Sequence, residues 1–179
     1  MLDNNFEDRV KKIKFLISDV DGVLTDGKIL IASNGIESKT FCVEDGTGVA
    51  IAKYAGLDIA FISGRFSKST EIRAKELDVK YCIQGHLNKI DQLYKLIDKL
   101  KIKLHQVAYI GDGLIDIPVL KVVGFPISVP NGHKDVQKHS LYITKKNGGE
   151  GVLQEVVELI LKGQARYIKT IQKMSKDVF

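Results

Sequence analysis

The sequence predicts an α/β protein, a doubly wound (Rossmann-like) parallel sheet with helices on both faces. Two observations predict it. Short apolar runs of four to eight residues recur along the 179-residue chain, a length that suits strands buried on both faces. Between them lie stretches whose apolar residues recur at three- and four-residue spacing with charges in between, and strands alternating with such helices build a parallel sheet. The composition, 44% hydrophobic and 27% charged, is that of a globular domain with a core of ordinary size.

The first strand is read over Ile13 to Val20 (IKFLISDV), and its apolar part runs into acidic residues and Gly22. Residues 26–44 then break the alternation. Gly27 to Ser33 and Glu37 to Val43 have β-type composition and flank Asn34-Gly35, a two-residue hairpin signal. A small β-hairpin inserted after the first strand is therefore expected, packed against something because a lone hairpin is marginal in water. Further strands are read at Asp58–Ser63, Lys80–Ile83, Gln106–Ile110 and Phe125–Val129. Helices are read at Thr47–Tyr54, Ser67–Leu77, Lys89–Leu100 and Asp116–Val123, the third carrying an Ile90, Leu93, Ile97, Leu100 stripe. After Gly151 a helix is expected with Val152, Val156, Leu159 and Ile160 facing the core, and residues 163–179 form a basic amphipathic surface or interface helix. With no repeat and no low-complexity linker, one domain spanning 1–179 is expected: a core over about 13–162, the hairpin insert at about 26–44, a tail from about 163, and no large cap domain.

Bulk properties exclude several function classes. No apolar run approaches the roughly 18 residues of a membrane span, and the first fourteen residues mix charge signs without an apolar signal core. Cys42 and Cys82 have no CxxC partner and fit two small buried residues in a reducing cytoplasm. The net charge of +5 is spread along the chain without an aromatic-interleaved basic block, so no nucleic-acid partner and no membrane partner are expected. A moderate positive charge does favour a small anionic substrate.

Four pieces carry chemistry. Asp19 and Asp21, two apart at a strand end before Gly22, point the same way, and such a pair is costly without a cation or a shared proton. Magnesium takes hard oxygen ligands and few protein carboxylates, so Mg2+ fits; an Asx turn is the alternative. Ser63 and Gly64 end the next strand, where a hydroxyl and exposed amides can bind phosphate oxygens; Ser63 as a helix cap is the alternative. Lys89 opens the long helix and can neutralise a phosphate, or simply be solvated. Asp112 and Asp116, in Gly111-Asp112-Gly113-Leu114-Ile115-Asp116, lie one helical turn apart and can serve a metal or orient Lys89, or form a turn and an N-cap.

Taken together, in the order DxDG, Ser, Lys, GDxxxD, each at the end of a predicted strand or the adjoining helix start, they resemble the haloacid dehalogenase superfamily of phosphatases. DVDGVLTDG, the NG hairpin, the string Phe41 to Gly48, ISGR, the spacing from Gln84-Gly85 to Lys89, YIGD and NGGEG are similar to its 3-deoxy-D-manno-octulosonate (KDO) 8-phosphate phosphatases, over residues 13–162. Gly113 stands where that subfamily commonly has a second aspartate. The resemblance implies Asp19 as nucleophile and Asp21 as acid/base. It also implies Mg2+ on Asp19, the Asp21 carbonyl and Asp112, a phosphoryl group on Ser63, Gly64 and Lys89, and Asp116 holding Lys89. It further implies a phosphorylated sugar-acid substrate, a cytoplasmic enzyme and a homotetramer assembled through the hairpins. Arg65, Lys68 and Arg73 are candidates for the sugar-acid carboxylate, or ordinary surface charges. Another sugar acid such as an N-acylneuraminate 9-phosphate, a phospho-accepting signalling domain, and an idle subunit of a larger enzyme stay open as alternatives.

Overall fold

The structure, a computed structural model, describes residues 4–178. Its main sheet has six parallel strands: β1 (Phe15–Ser18), β4 (Asp58–Ile62), β5 (Tyr81–Ile83), β6 (Val107–Gly111), β7 (Phe125–Ser128) and β8 (Tyr142–Ile143), in the order β5-β4-β1-β6-β7-β8. β2 (Leu30–Ile31) and β3 (Glu37–Ser38) form a separate antiparallel hairpin. The helices are α1 (Asn4–Lys12), α2 (Val43–Ala55), α3 (Lys68–Glu76), α4 (Lys89–Leu100), α5 (Ile117–Leu120), α6 (Lys134–Gln137), α7 (Val152–Gly163) and α8 (Tyr167–Val178). This is the doubly wound sheet the sequence predicts, and among the described residues no large cap interrupts it.

Side chains alternate across the central strands, so each strand feeds two apolar layers. Leu16, Phe61, Ala108, Ile110 and Ile127 pack on one face with Val49 and Ala52 of α2 and Val152, Val156 and Ile160 of α7. Phe15, Ile17, Ala60, Ile62 and Tyr109 pack on the other with Leu93, Leu96 and Ile97 of α4 and Val119 of α5. Because β1 is central, with β4 on one side and β6 on the other, the chain reverses direction of winding beside it. Crevices at the carboxyl ends of strands form at such a point.

Several elements depart from expectation. The hairpin is shorter, with a three-residue loop: Gly35 N–H donates to Ala32 O (2.9 Å) and Ala32 N–H to Ile36 O (2.9 Å). Gly35 has φ +82°, so Ser33-Asn34-Gly35 is a turn closed by a glycine bulge rather than the two-residue turn expected at Asn34-Gly35. α2 begins at Val43, inside the predicted second hairpin arm, with Glu44 and Asp45 in its first turn, where carboxylates favour a helix start. The predicted Asp116–Val123 helix is a 3-10 turn, Leu114–Asp116, leading into the short α5. Cys42 and Cys82 are half-buried and unpaired by disulfide. α1, α6 and β8 are additions to the predicted elements; Phe6 of α1 packs edge-on against Phe125, with ring centroids 5.2 Å apart. α8 lies against α2 and α7, with Tyr167, Ile171 and Met174 on the core. No described helix is long and apolar enough to cross a membrane.

Asp45 ties α2 to α7. Its Oδ1 accepts from Leu153 N–H (2.9 Å), while Oδ2 is buried without a partner. Burial pushes its carboxyl up from 3.8 to about 6, against the pull of the Leu153 N–H, Lys146 and Arg73. Since the folded value exceeds the unfolded one, its contribution is full below the ordinary value and is lost as pH rises to about 6. Each tenfold change in proton affinity is worth about 1.4 kcal/mol, so the loss is on the order of 3 kcal/mol. Asp45→Asn keeps the acceptor without the charge, so it is expected to raise stability by about 1–3 kcal/mol at pH 8 and not at pH 4, measured by urea unfolding. Equal destabilisation at both pH values would show that the charge is well accommodated.

Candidate active site

Asp19, Asp21, Ser63, Gly64, Lys89 and Asp112 converge at the carboxyl ends of β1, β4 and β6. Asp19 follows β1 directly, its N–H donating to Ile110 O (2.9 Å), which extends the sheet ladder by one residue and fixes the side chain's origin. Its Oδ1 accepts from Val20 N–H (2.7 Å) and its Oδ2 from Lys89 Nζ (2.6 Å). Lys89, the first residue of α4, is fully buried, and its ammonium also reaches Asp116 Oδ1 at 2.7 Å. Asp116 is used up on both oxygens: Oδ1 also takes the Tyr109 hydroxyl (2.6 Å), and Oδ2 takes the N–H groups of Asp112 (3.1 Å) and Gly113 (3.0 Å). Asp116 thus braces Lys89 and the Asp112 loop together.

Electrostatics leave this cluster short of positive charge. Carboxylate oxygens of Asp19, Asp112 and Asp116 lie within 4.8 Å of one another, with one ammonium among them. Burial, then Asp116, hold the Asp19 carboxyl well above its ordinary range, although Lys89 pulls it down. Burial and Asp116 likewise push Asp112 up to about 6. Burial pulls the Lys89 ammonium down, but Asp19 and Asp116 outweigh it and the net shift is upward. A small divalent cation relieves this deficit, and the donors are all hard oxygens, which suits magnesium. With Asp116 committed, Asp19 and Asp112 are the carboxylates of this cluster that could hold an ion.

Gly22 is required by close approach. It has φ +88°, and a Cβ there would stand 2.0 Å from Asp112 Oδ2. The loop after it is closed by Leu24 N–H to Val20 O (2.9 Å) and by Thr25 Oγ1, which accepts from Gly22 N–H at 3.2 Å. Asp21 enters this loop half-buried, Oδ1 taking Lys39 Nζ of the hairpin at 2.5 Å and Oδ2 buried with no partner. Ser63 follows β4, buried, and its Oγ accepts from Arg65 N–H (3.2 Å). It does not cap α3, whose N-cap is Ser67. Asp19, Asp21, Ser63, Gly64, Lys89 and Asp112 line one cleft of about 210 Å³.

Comparison with known proteins decides the family. The profile of the haloacid dehalogenase-like hydrolases matches residues 57–156. The KDO 8-phosphate phosphatase KdsC of Escherichia coli K12 is 39% identical over 158 residues, 88% of this chain and 84% of that protein. The chain belongs to the KDO 8-phosphate phosphatase family of haloacid dehalogenase-like hydrolases. The Yersinia pestis KdsC is 40% identical over 87% of this chain and 83% of its own length. The crystal structure of the Moraxella catarrhalis phosphatase, in complex with magnesium ion, phosphate ion and KDO, superposes with a TM-score of 0.92 at 44% identity, covering 96% of this chain and 98% of that one. The cobalt-bound Haemophilus influenzae phosphatase gives a TM-score of 0.86 at 31% identity, covering 92% and 99%.

For a KDO 8-phosphate phosphatase, the three basic candidates for the sugar acid are placed differently. Arg65 also lines the cleft, with Nη2 on Glu37 Oε2 of the hairpin at 2.6 Å. Lys68 is exposed and pairs with Glu71 (2.8 Å). Arg73 pairs with Glu76 (3.0 Å) and donates to Cys42 O (3.1 Å). Neither of these two lines the cleft. Gly113 leaves room beside Asp116: an added Cβ would meet only Asp116 Oδ2, at 3.8 Å.

Three contributors to the site are not singled out from sequence, Lys39, Tyr109 and Asn131, and a fourth, Gly148, stands there only as part of the NGGEG motif. Gly148 presses on the Asp21–Asp26 loop so tightly that a Cβ would stand 1.8 Å from Gly22 O. Its N–H donates to Asn131 Oδ1 (2.8 Å), and Gly149 N–H donates to Val23 O (2.9 Å). The NGGEG segment is a backbone brace behind the aspartate loop.

Proposed function

We propose that this chain is a magnesium-dependent phosphomonoester hydrolase that releases KDO and phosphate from KDO 8-phosphate through an aspartyl-phosphate at Asp19. The observation that carries it is the meeting of Asp19, Lys89 and Asp112 in one cleft with Asp21 beside them. The KDO-bound relative supports the sugar acid as substrate.

An Asp19 carboxylate oxygen attacks phosphorus, forming the P–O bond to the enzyme as the bond to the sugar oxygen breaks. A carboxylate nearing a phosphate faces repulsion of about 4 kcal/mol per charge pair at about 4 Å and an effective dielectric near 20. Lys89 offsets that repulsion, and Asp116 holds it in place. Asp19, Asp112 and the Asp21 carbonyl would hold Mg2+, which would supply further charge neutralisation on the phosphoryl oxygens. The Ser63 hydroxyl and Gly64 amide bind those oxygens and orient them in line. Asp21 gives a proton to the departing sugar oxygen and then takes one from the water that hydrolyses the intermediate, so hydrolysis divides into two easier steps. Arg65, which lines the cleft, would take the substrate carboxylate in exchange for Glu37.

The chain is also proposed to act as one domain, in the cytoplasm and as a homotetramer. Exposure of Ile29, Leu30, Ile31 and Ile36 on the hairpin supports assembly through that element. Steady-state hydrolysis of KDO 8-phosphate, N-acetylneuraminate 9-phosphate and glucose 6-phosphate, with magnesium and with EDTA, tests the reading. Expected is the highest kcat/KM on KDO 8-phosphate, lost in EDTA and restored by magnesium. A higher value on another substrate overturns the substrate, and undiminished turnover in EDTA overturns the metal.

A further inference from the structure

We infer that Lys39, carried by the β-hairpin, is a positioning residue for Asp21: it pins one carboxylate oxygen so that the other is kept for the leaving group. The inference deepens the phosphatase reading and rests on it. Lys39 lies one residue beyond β3, on an arm whose neighbours Ser38 and Thr40 are exposed. Its own side chain is nevertheless completely covered. The ammonium sits 2.5 Å from Asp21 Oδ1, 3.4 Å from Thr70 Oγ1 on α3 and 3.7 Å from Glu37 Oε1. Covering a lysine ammonium is unfavourable unless specific partners receive it, and here the partners span the hairpin, α3 and the aspartate loop.

Asp21 is correspondingly one-sided. Oδ1 is occupied by Lys39, whereas Oδ2 is buried and has no hydrogen-bond partner, although the residue lines the cleft that holds Asp19. A carboxylate with a free χ2 would present either oxygen at random; one oxygen held by a fixed ammonium presents the other. As the P–O bond to the sugar breaks, Asp21 Oδ2 passes its proton to the sugar oxygen, and the Lys39 ammonium neutralises the carboxylate left behind. The same carboxylate then receives a proton from the attacking water, which returns the site to its starting state. Glu37 links this pair to the cleft's guanidinium, since its Oε2 holds Arg65 at 2.6 Å. The hairpin thereby touches both Asp21 and Arg65, which line the same cleft.

The test separates this role from mere folding by the leaving group. An alkoxide needs protonation as it departs; p-nitrophenolate does not. With magnesium-loaded enzyme and rapid-quench single turnovers, Lys39→Met is expected to slow phosphoryl transfer from KDO 8-phosphate roughly 10- to 100-fold, a fraction of what general acid catalysis supplies. Release of p-nitrophenolate from p-nitrophenyl phosphate is expected to stay within about 3-fold, giving a burst followed by slow turnover. Lys39→Arg, which keeps the charge, is expected to restore most of the sugar-phosphate rate. Adding Lys39→Met to Asp21→Asn is expected to cost nothing further in the transfer step, because the two act as one unit. Equal slowing on both substrates, no slowing on either, or an additive double variant overturns the inference. Should Lys39→Met fail to fold, Lys39→Arg and Lys39→Gln are compared on the two substrates, and an equal response to both leaving groups overturns it. Wild-type enzyme inert towards both phosphates would instead refute the phosphatase reading itself.

Discussion

Asp19→Asn is expected to lower turnover by at least roughly 10³-fold, the scale on which loss of a covalent nucleophile is felt, while the fold survives. The amide cannot form the acyl phosphate, and Asp116 cannot take its place, because it is spent on four hydrogen bonds. Survival of the fold follows from the charge count. In the metal-free protein Asp19 is a buried carboxylate held well above its ordinary range by burial and by Asp116. Such a group favours the folded state when protonated, and that contribution is lost as pH rises through its folded value. The asparagine variant has no charge to bury, so in EDTA its Tm is expected to match or exceed wild type at pH 8, with the difference vanishing in acid. Lys89 keeps Asp116 at 2.7 Å throughout. A Tm well below wild type at pH 8 would mean that Asp19 is held chiefly by its ion pair with Lys89.

Lys89→Met is expected to do damage of a different kind, to stability as well as rate. The ammonium is the positive charge among Asp19, Asp112 and Asp116, and it is buried with them. Removing one partner from a buried ionic cluster costs about 3–5 kcal/mol, because the charges left behind are uncompensated. Transfer of the phosphoryl group loses a preorganised donor at the same time, worth roughly 10²–10³-fold in kcat. The stability loss is expected to shrink at pH 5, where carboxylates with raised values take up protons, and to shrink on adding magnesium. Urea unfolding at pH 5 and pH 8, with and without the ion, measures this. A loss under about 1 kcal/mol at pH 8, or one independent of pH and magnesium, would show that Lys89 is not the charge that holds the cluster.

Much of this is legible in the sequence, for identifiable reasons. Lys89–Leu100 has the same boundaries in sequence and structure, because its stripe is amphipathic and its first residue follows a clear loop. Asp19, Ser63 and Asp112 stand out because each ends an apolar run, and a parallel sheet brings such ends to one rim. Lys39 is not legible: beside a two-residue strand of an exposed hairpin it reads as a solvated lysine, and only its tertiary contact with Thr70 and Asp21 covers it. The NGGEG motif marks Gly148, but its role does not follow from the motif, because the close approach that requires a glycine is to Gly22, a residue remote in sequence. The three-residue turn at Ser33–Gly35 is hidden because Asn-Gly also suits the two-residue form, and the choice lies in the pairing of Ala32 with Ile36. α1 does carry a signal, Phe6 and Val10 at helical spacing ahead of Ile13, all buried; its many charges obscure it.

The central claim is that phosphate passes through the side chain of Asp19. The measurement closest to it is acid quenching of enzyme during turnover of KDO 8-phosphate with magnesium, reduction with borohydride, and peptide mass spectrometry. Borohydride converts an aspartyl phosphate to homoserine, and the account predicts homoserine at position 19 and at no other acidic residue, absent when magnesium is withheld. Homoserine at Asp21 or Asp112, or an unreduced Asp19 in enzyme shown to be turning over, would contradict it.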